Sequence, residues 1–166
     1  MKNISKLLLG VALISTSASA FSADITRYPL PNFPTSLAVE VPADVSMIYL
    51  NGVVPQVINK DADDRSEAAF GNTERQTDNV LAEIEKRLQG LGLSMSDVVK
   101  MQVFLKAPQG QDAMDFQGFS QSYVRFFDAE KGVKLPARSL LQSQGFANPG
   151  WLVEIDVIAA RSAQKK

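Results

Sequence analysis

The stretch DVVKMQVFLK, residues 97–106, decides the fold class that the sequence predicts. Apolar residues fall on both faces of this segment, which is typical of a strand covered on both sides. The segment is therefore predicted to lie at the centre of a β-sheet. The other predicted elements flank it in the chain.

Two helices flank the predicted central strand. The first starts at a capping box formed by Thr73 and Gln76, continues with apolar residues at helical spacing and ends at Gly90 or Gly92. Asp115 can cap the second helix. The second helix carries an aromatic stripe that is interpreted as core packing: Phe116, Phe119, Tyr123, Phe126 and Phe127.

Four further strands complete the predicted sheet. The segments 36–41 and 46–52 are predicted to pair as a hairpin, and 137–146 and 151–161 form the last two strands. The order of elements favours a single α+β domain, with a mixed sheet and both helices on one face. The other face then lacks a cover, which implies contact with another subunit.

The N-terminus has the three parts of a signal peptide. Lys2 and Lys6 precede an apolar run at 7–14, and Ala18-Ser19-Ala20 fits a cleavage site. A membrane anchor is the alternative, but the run is too short to span about 30 Å of hydrocarbon. Residues 1–20 are therefore predicted to be removed, with cleavage after Ala23 as the second choice, which leaves a periplasmic or secreted protein with no membrane segment.

The mature chain is divided into a leader and a domain. Residues 21–35 contain Pro29, Pro31 and Pro34 and are predicted to form a flexible leader. Residues 36–166 are predicted to form one domain, since their number is typical of a single hydrophobic core.

Composition excludes several kinds of chemistry. The chain has 17 basic and 18 acidic residues, so no basic surface attracts nucleic acid. It contains no cysteine and no histidine, which removes thiolate metal sites, the commonest metal ligand and the serine–histidine arrangement. No metal and no cofactor are predicted. Any reaction must use carboxylates, Arg, Lys, hydroxyl groups, backbone groups and water.

Arg138 places a permanent positive charge inside the predicted strand 137–146. Because strand side chains alternate, Arg138 shares a face with Leu140 and Gln142, while Glu154 shares a face with Asp156 on the last strand. If the last two strands pair, Arg138 and Glu154 lie near one another. They then form either a structural ion pair or a site in which the guanidinium binds a carboxylate and Glu154 handles water or a proton.

Five motifs resemble the RidA (YjgF) family over most of residues 36–161. They are MIYLNG (47–52), DVVKMQVFL (97–105), DFQGFSQSYVRFF (115–127), LPARSLL (135–141) and VEIDVIAAR (153–161). The resemblance implies a chorismate-mutase-like α+β fold and a homotrimer whose sheets face inward, with clefts between subunits. It also implies hydrolysis of reactive 2-enamino or 2-imino acids to 2-keto acids and ammonia. The alternative is a non-catalytic trimer that binds small carboxylates or acts as a chaperone.

The resemblance also implies roles for individual residues. Arg138 matches the arginine that holds the substrate carboxylate, and Glu154 matches the glutamate that positions the attacking water. Asn51 and Gly52 match a Ser-Gly pair at the ligand, although Asn51 also suits a turn. An imine is already electrophilic, so a placed water and a carboxylate suffice for its hydrolysis.

Four positions depart from the family pattern. Thr35 stands where the family often has tyrosine, Asn51 replaces a serine, and Leu140 replaces a cysteine. Ser120 stands where an asparagine is often found in the second helix. The wall of the implied pocket is therefore expected to differ from that of the family, while Arg138 and Glu154 are retained.

Overall fold

The computed structural model describes residues 24–161, so the predicted signal peptide lies outside the described part of the chain. Within it, no helix is long and apolar enough to cross a membrane. The helices are α1 (Glu67–Phe70), α2 (Thr73–Gly90) and α3 (Phe116–Phe126), and a 3₁₀ turn, Met95–Asp97, precedes β4. The strands are β1 (Thr26–Pro29), β2 (Ser36–Glu40), β3 (Ser46–Tyr49), β4 (Val98–Lys106), β5 (Ala137–Ser143) and β6 (Val153–Arg161).

Strand β4 lies inside a six-stranded mixed sheet with the order β1-β2-β5-β4-β6-β3. It runs parallel to β5 and antiparallel to β6, and α3 supplies the crossover that a parallel pair requires. Met101, Val103 and Leu105 on β4 are fully buried against the helix layer. The predicted central position of residues 97–106 is therefore confirmed.

Helices α2 and α3 cover one face of the sheet, as predicted. Asp115 caps α3 by accepting a hydrogen bond from Gly118 N at 2.8 Å. The N-cap of α2 is Asn72, which accepts from Arg75 N at 3.0 Å. The predicted capping box at Thr73 and Gln76 is thus wrong.

The Gln76 side chain has a tertiary role instead. It is fully buried, and its amide donates to Gly71 O at 2.9 Å and to Gly150 O at 3.0 Å. Its oxygen accepts from Leu152 N at 2.7 Å. Gln76 therefore links the start of α2 to the loop before β6, a long-range contact that a local pattern does not encode.

The second face of the sheet is open in the single chain. Met47 and Tyr49 on β3 and Leu141 on β5 point to this side and are 37%, 73% and 46% exposed. Exposed apolar side chains at this density favour a surface that another chain covers.

The predicted hairpin between residues 36–41 and 46–52 is wrong. Strand β2 pairs with β1 and β5, whereas β3 pairs with β6 at the other edge. The connection between β2 and β3 packs on the open face. Its Val45 forms a small buried cluster with Val99 and Ala160, and Val41 packs against this cluster. Burial of these valines on the sheet therefore favours a connection that crosses from β2 to β3 at the opposite edge, instead of a hairpin turn.

The prediction of a flexible leader over residues 21–35 is also wrong for its described part. Strand β1 lies within it and pairs antiparallel with β2. The Arg27 guanidinium fixes β1 by donating hydrogen bonds to three backbone carbonyls. These acceptors are Leu135 O at 3.1 Å, Ser96 O at 2.8 Å and Val98 O at 3.1 Å.

We expect Arg27→Ala to lower the free energy of unfolding by about 2 kcal/mol, because charge-assisted bonds are lost and carbonyls are left unpaired. Urea unfolding at fixed protein concentration measures the change. Lys86→Ala, which removes an exposed cation from α2, serves as the control. Equal stability of both variants and the parent would contradict the role of Arg27.

Candidate functional site

Arg138 stacks against aromatic rings of α3. Its guanidinium carbon lies 4.2 Å from the ring centroid of Tyr123 and 5.2 Å from that of Phe119. Both rings are fully buried, and Tyr123 also stacks on Phe127 at 4.8 Å. The aromatic stripe therefore packs the core, as predicted, and also holds a cation by cation–π contact.

The Arg138 guanidinium carries an unused hydrogen-bond donor. Its Nη1 atom and the Tyr123 hydroxyl are both buried, and neither has a partner with hydrogen-bond geometry among residues 24–161, although the two groups attract each other electrostatically. Burial lowers the pKa of Arg138 and raises the pKa of Tyr123 to about 12. A buried donor without a partner is costly, so this position favours an acceptor that the single chain does not provide.

Arg138 lies where the sheet splits. Strands β2 and β5 pair only at Ser36 and Ala137, and the β5 edge is unpaired from Arg138 onward. The Thr35 hydroxyl closes the start of this gap by donating to Pro136 O at 2.7 Å. The Thr35 hydroxyl thus donates its proton to a backbone carbonyl.

Two other departures from the family pattern lie on the helix-facing side. Leu140 shares the face of Arg138 and packs against the main core, and Ser120 is half-buried on α3, next to Phe119. Leu140 therefore adds an apolar side chain on the face of Arg138.

Glu154 and Asp156 point together to the open face of the sheet. A Cβ atom on Gly52 would stand 2.7 Å from Glu154 Oε1 and 2.8 Å from Asp156 Oδ1. Both carboxylates therefore occupy the space next to Gly52, and a larger residue there would displace them. The structure thus brings together the predicted site residues Asn51, Gly52 and Glu154 and adds Asp156.

The environment of Glu154 favours its protonated form. Burial raises the pKa of Glu154, and the like charge of Asp156 raises it further. Lys100 lies in the same cavity, but its ammonium donates to Ser139 Oγ at 2.8 Å. Glu154 is therefore a carboxyl group suited to exchange a proton.

Two cavities meet at this carboxylate pair. One, of about 440 Å³, includes Lys100 and Gln102 in its wall. The other, of about 750 Å³, includes aromatic side chains from β4 and from the loop before β6. Both cavities share the residues Asn51, Gly52, Glu154 and Asp156.

Arg138 and Glu154 lie on opposite faces of the sheet. Strand β4 separates β5 from β6, and Arg138 faces the helices while Glu154 faces the open side. The expectation that the last two strands pair and bring these residues together is wrong within one chain. A structural ion pair between them in the same chain is thereby excluded.

The sequence matches the family described as Endoribonuclease L-PSP over residues 43–161. The chain belongs to this family. It is 32% identical to the 3-aminoacrylate deaminase RutC of Acinetobacter baylyi over 128 residues, which cover 76% of this chain and 90% of the relative. It is also 32% identical to a RutC family protein of Saccharolobus solfataricus, with 82% and 94% covered.

Solved structures of family members have the same fold. TdcF of E. coli, solved with bound serine, is 28% identical to this family member with a TM-score of 0.56, and the match covers 74% of this chain and 85% of TdcF. A YjgF family protein of Neisseria meningitidis is 25% identical with a TM-score of 0.51, covering 85% and 98%. The predicted RidA-like fold is confirmed.

Some candidate residues were missed by the sequence interpretation. Asp156 carried a signal, because two acids alternate with apolar residues on a buried strand. The contact of Phe119 and Tyr123 with Arg138 carried none, since it depends on how α3 packs across β5. Within residues 24–161 no group of His, Cys, Asp or Glu could hold a metal ion.

We expect Asp156→Asn to lower the pKa of Glu154, because a like charge is removed. The pKa should stay above the ordinary value of 4.5, because burial is the larger cause of the shift. Carbon-detected NMR titration of the Glu154 carboxyl group measures it.

Glu85→Gln is the matched control. It removes one negative charge from α2, on the opposite side of the sheet. If both variants shifted the Glu154 titration equally, or if Asp156→Asn left it unchanged, the coupling to Asp156 would be refuted.

Proposed function

We propose that the protein hydrolyses 2-imino or 2-enamino acids to 2-keto acids and ammonia, at sites shared between subunits of a homotrimer. The observation that carries the proposal is the buried, unpartnered donor of Arg138 beside an open strand edge. The name of the RutC relative, a 3-aminoacrylate deaminase, supports the reaction class. The serine bound to TdcF supports a small ligand that carries a carboxylate.

Arg138 is proposed to bind the substrate carboxylate. A guanidinium offers a planar pair of donors that matches the two carboxylate oxygens. The rings of Phe119 and Tyr123 stack against the guanidinium and limit its rotation. Because the rings cover a face of the guanidinium, the ligand is proposed to approach its edge in the assembled protein.

The positions of the two residues favour a shared site. Arg138 and Glu154 face opposite sides of one sheet, so one chain does not present both to a small ligand. A neighbouring subunit that covers the open face can bring its Arg138 to the Glu154 of the first chain. The exposed apolar residues Met47, Tyr49 and Leu141 support such a cover.

Glu154 is proposed to act on water. Its carboxylate takes a proton from a water molecule as the water oxygen bonds to C2, and Glu154 returns this proton to the imine nitrogen as the C–N π bond breaks. In the resulting tetrahedral intermediate, Glu154 takes the hydroxyl proton and passes it to the amino nitrogen, so that the C2–N bond breaks, ammonia leaves and the C2–O bond becomes a carbonyl. The raised pKa brings the proton affinity of Glu154 closer to that needed for both steps.

The protein is further proposed to act outside the cytoplasm. The charged start, the apolar run and the Ala18-Ser19-Ala20 site support removal of residues 1–20 during export. N-terminal sequencing of secreted or periplasmic material should then begin at Phe21 or Asp24. A mature protein that still begins at Met1 in the cytoplasm would refute export.

We expect Arg138→Met to weaken 2-keto acid binding by about two to four orders of magnitude, because a bidentate charge-assisted pair is lost. Arg138→Lys should restore part of the affinity, since an ammonium lacks the fork. Calorimetric titration with pyruvate measures both.

The melting temperature of Arg138→Met distinguishes a role of Arg138 in ligand binding from a role in stability. Methionine fills a similar volume, and it removes a buried charge with an unpartnered donor, so the variant should melt close to the parent temperature. A large drop in melting temperature with unchanged affinity would assign Arg138 to the structure alone.

A mixing experiment tests whether the site is shared. Arg138→Met and Glu154→Gln homotrimers should each be inactive in hydrolysis of freshly generated 2-iminopropanoate. If each site takes one residue from each of two neighbours, every mixed trimer has one intact site. Co-expressed, doubly tagged mixed trimers should therefore regain about one third of the parent activity.

Three results would contradict parts of this proposal. Mixed trimers without activity would refute a site that takes Arg138 and Glu154 from two neighbouring subunits. A parent that binds 2-keto acids through Arg138 but never hydrolyses the imine would be a binding protein instead. A stable monomer by light scattering would refute the trimer itself.

A further inference from the structure

We propose that the 750 Å³ cavity beside Glu154 receives a large apolar side chain, so that the preferred substrates are imino acids of the aromatic or branched-chain type. This inference rests on the proposed function and specifies its substrate class. It does not concern the carboxylate or the reacting carbon, which belong to Arg138 and Glu154.

The cavity wall contains three aromatic side chains. Phe104 from β4, Phe146 from the loop before β6 and Trp151 line it, together with Val54 and Ala147. Phe104 stands opposite Glu154 in the register of β4 and β6, so this wall begins next to the reacting position. Apolar substituents gain most where such side chains surround them.

The loop that carries this wall is braced. Trp151 packs edge-on against the buried ring of Phe70, with the centroids 6.5 Å apart. Asn148 Nδ2 donates to Asp64 O at 2.8 Å, and Asn148 Oδ1 accepts from Gly150 N at 2.8 Å. The pocket is therefore preformed, which lowers the entropic cost of binding.

Gly150 makes the close packing of this loop possible. A Cβ atom at Gly150 would stand 2.5 Å from Ser66 O, too close for any other residue. The ammonium of Lys106 also donates to Pro149 O and lies 3.6 Å from Glu67. The loop before β6 is thus held against the segment around α1, and Trp151 is held with it.

The neighbouring cavity of 440 Å³ differs by having a lysine and an amide in its wall. Lys100 and Gln102 lie there beside apolar residues of β6, so an apolar substituent that filled this cavity would also desolvate the ammonium or the amide. A substrate centred at Glu154 therefore places an apolar side chain on the side of Phe146 and Trp151. A methyl group, as in the smallest 2-imino acids, would leave most of the 750 Å³ unused.

Binding of three stable 2-keto acids tests the proposal without turnover. Pyruvate, 4-methyl-2-oxopentanoate and phenylpyruvate share the carboxylate and the carbonyl and differ only in the side chain. We expect the two larger acids to bind at least about tenfold more tightly than pyruvate in calorimetric titrations of the assembled protein. Equal affinities would overturn the proposal.

A substitution in the wall tests the location of the side chain. Phe146→Ala should reduce the ratio of phenylpyruvate affinity to pyruvate affinity by about tenfold. Leu91→Ala, an exposed apolar residue after α2, is the control and should keep the parent ratio. An unchanged ratio in Phe146→Ala would overturn the assignment to this cavity.

Fluorescence supplies a second, local readout. Trp151 is the only tryptophan in the chain, so its emission reports this cavity alone. Saturation with 4-methyl-2-oxopentanoate should shift the emission more than saturation with pyruvate. No difference between the two acids at saturation would contradict side-chain burial next to Trp151.

The outcomes separate this proposal from the proposed function. If Arg138→Met abolishes pyruvate binding but all three acids bind the parent equally, only the side-chain assignment fails. If Arg138→Met leaves the binding of every acid unchanged, the proposed function fails and the side-chain assignment fails with it. If a neighbouring subunit filled the 750 Å³ cavity, the three acids would bind the parent equally, and only the side-chain assignment would fail.

Discussion

Alternation of side chains along β4 and β6 is the constraint on which the rest of the structure depends. One set of alternate residues, including Met101 and Ile155, forms the dry layer beneath α2 and α3. The other set, including Glu154 and Asp156, faces the open side. Because a strand has a period of two, burial of one set fixes the exposure of the other. The core therefore determines where the carboxylates lie.

Arg138 departs from this division, because it is a cation on the dry side. Two aromatic rings make its presence there tolerable, and the splitting of β2 from β5 leaves it an opening. The energetic cost is that the Nη1 donor of Arg138 is buried without a hydrogen-bond partner. Departures of this kind from the local rules of folding are expected at functional positions. Glu154 and Asp156 show the same feature in a milder form, since like charges are held close together.

Local patterns predicted much of the fold and less of the site. The two-residue alternation identified the faces of β5 and β6, and the helical spacing identified α2 and α3. The order of strands is not a local property, so the hairpin of residues 36–41 and 46–52 was wrong. The same limit explains the wrong pairing of β5 with β6: they are neighbours in sequence, but β4 lies between them. Gln76 was misread because its partners are distant in sequence.

The position of β1 has a consequence for solubility. Without β1, β2 would present an unpaired edge, which is a template for aggregation. Arg27 holds β1 over that edge, and Tyr28 adds a hydrogen bond to Glu40 at 2.7 Å. The outer strand ends at Pro29, and a proline has no backbone N–H with which to extend a sheet. The N-terminal segment thus acts as a guard strand that stops the sheet from growing at this edge.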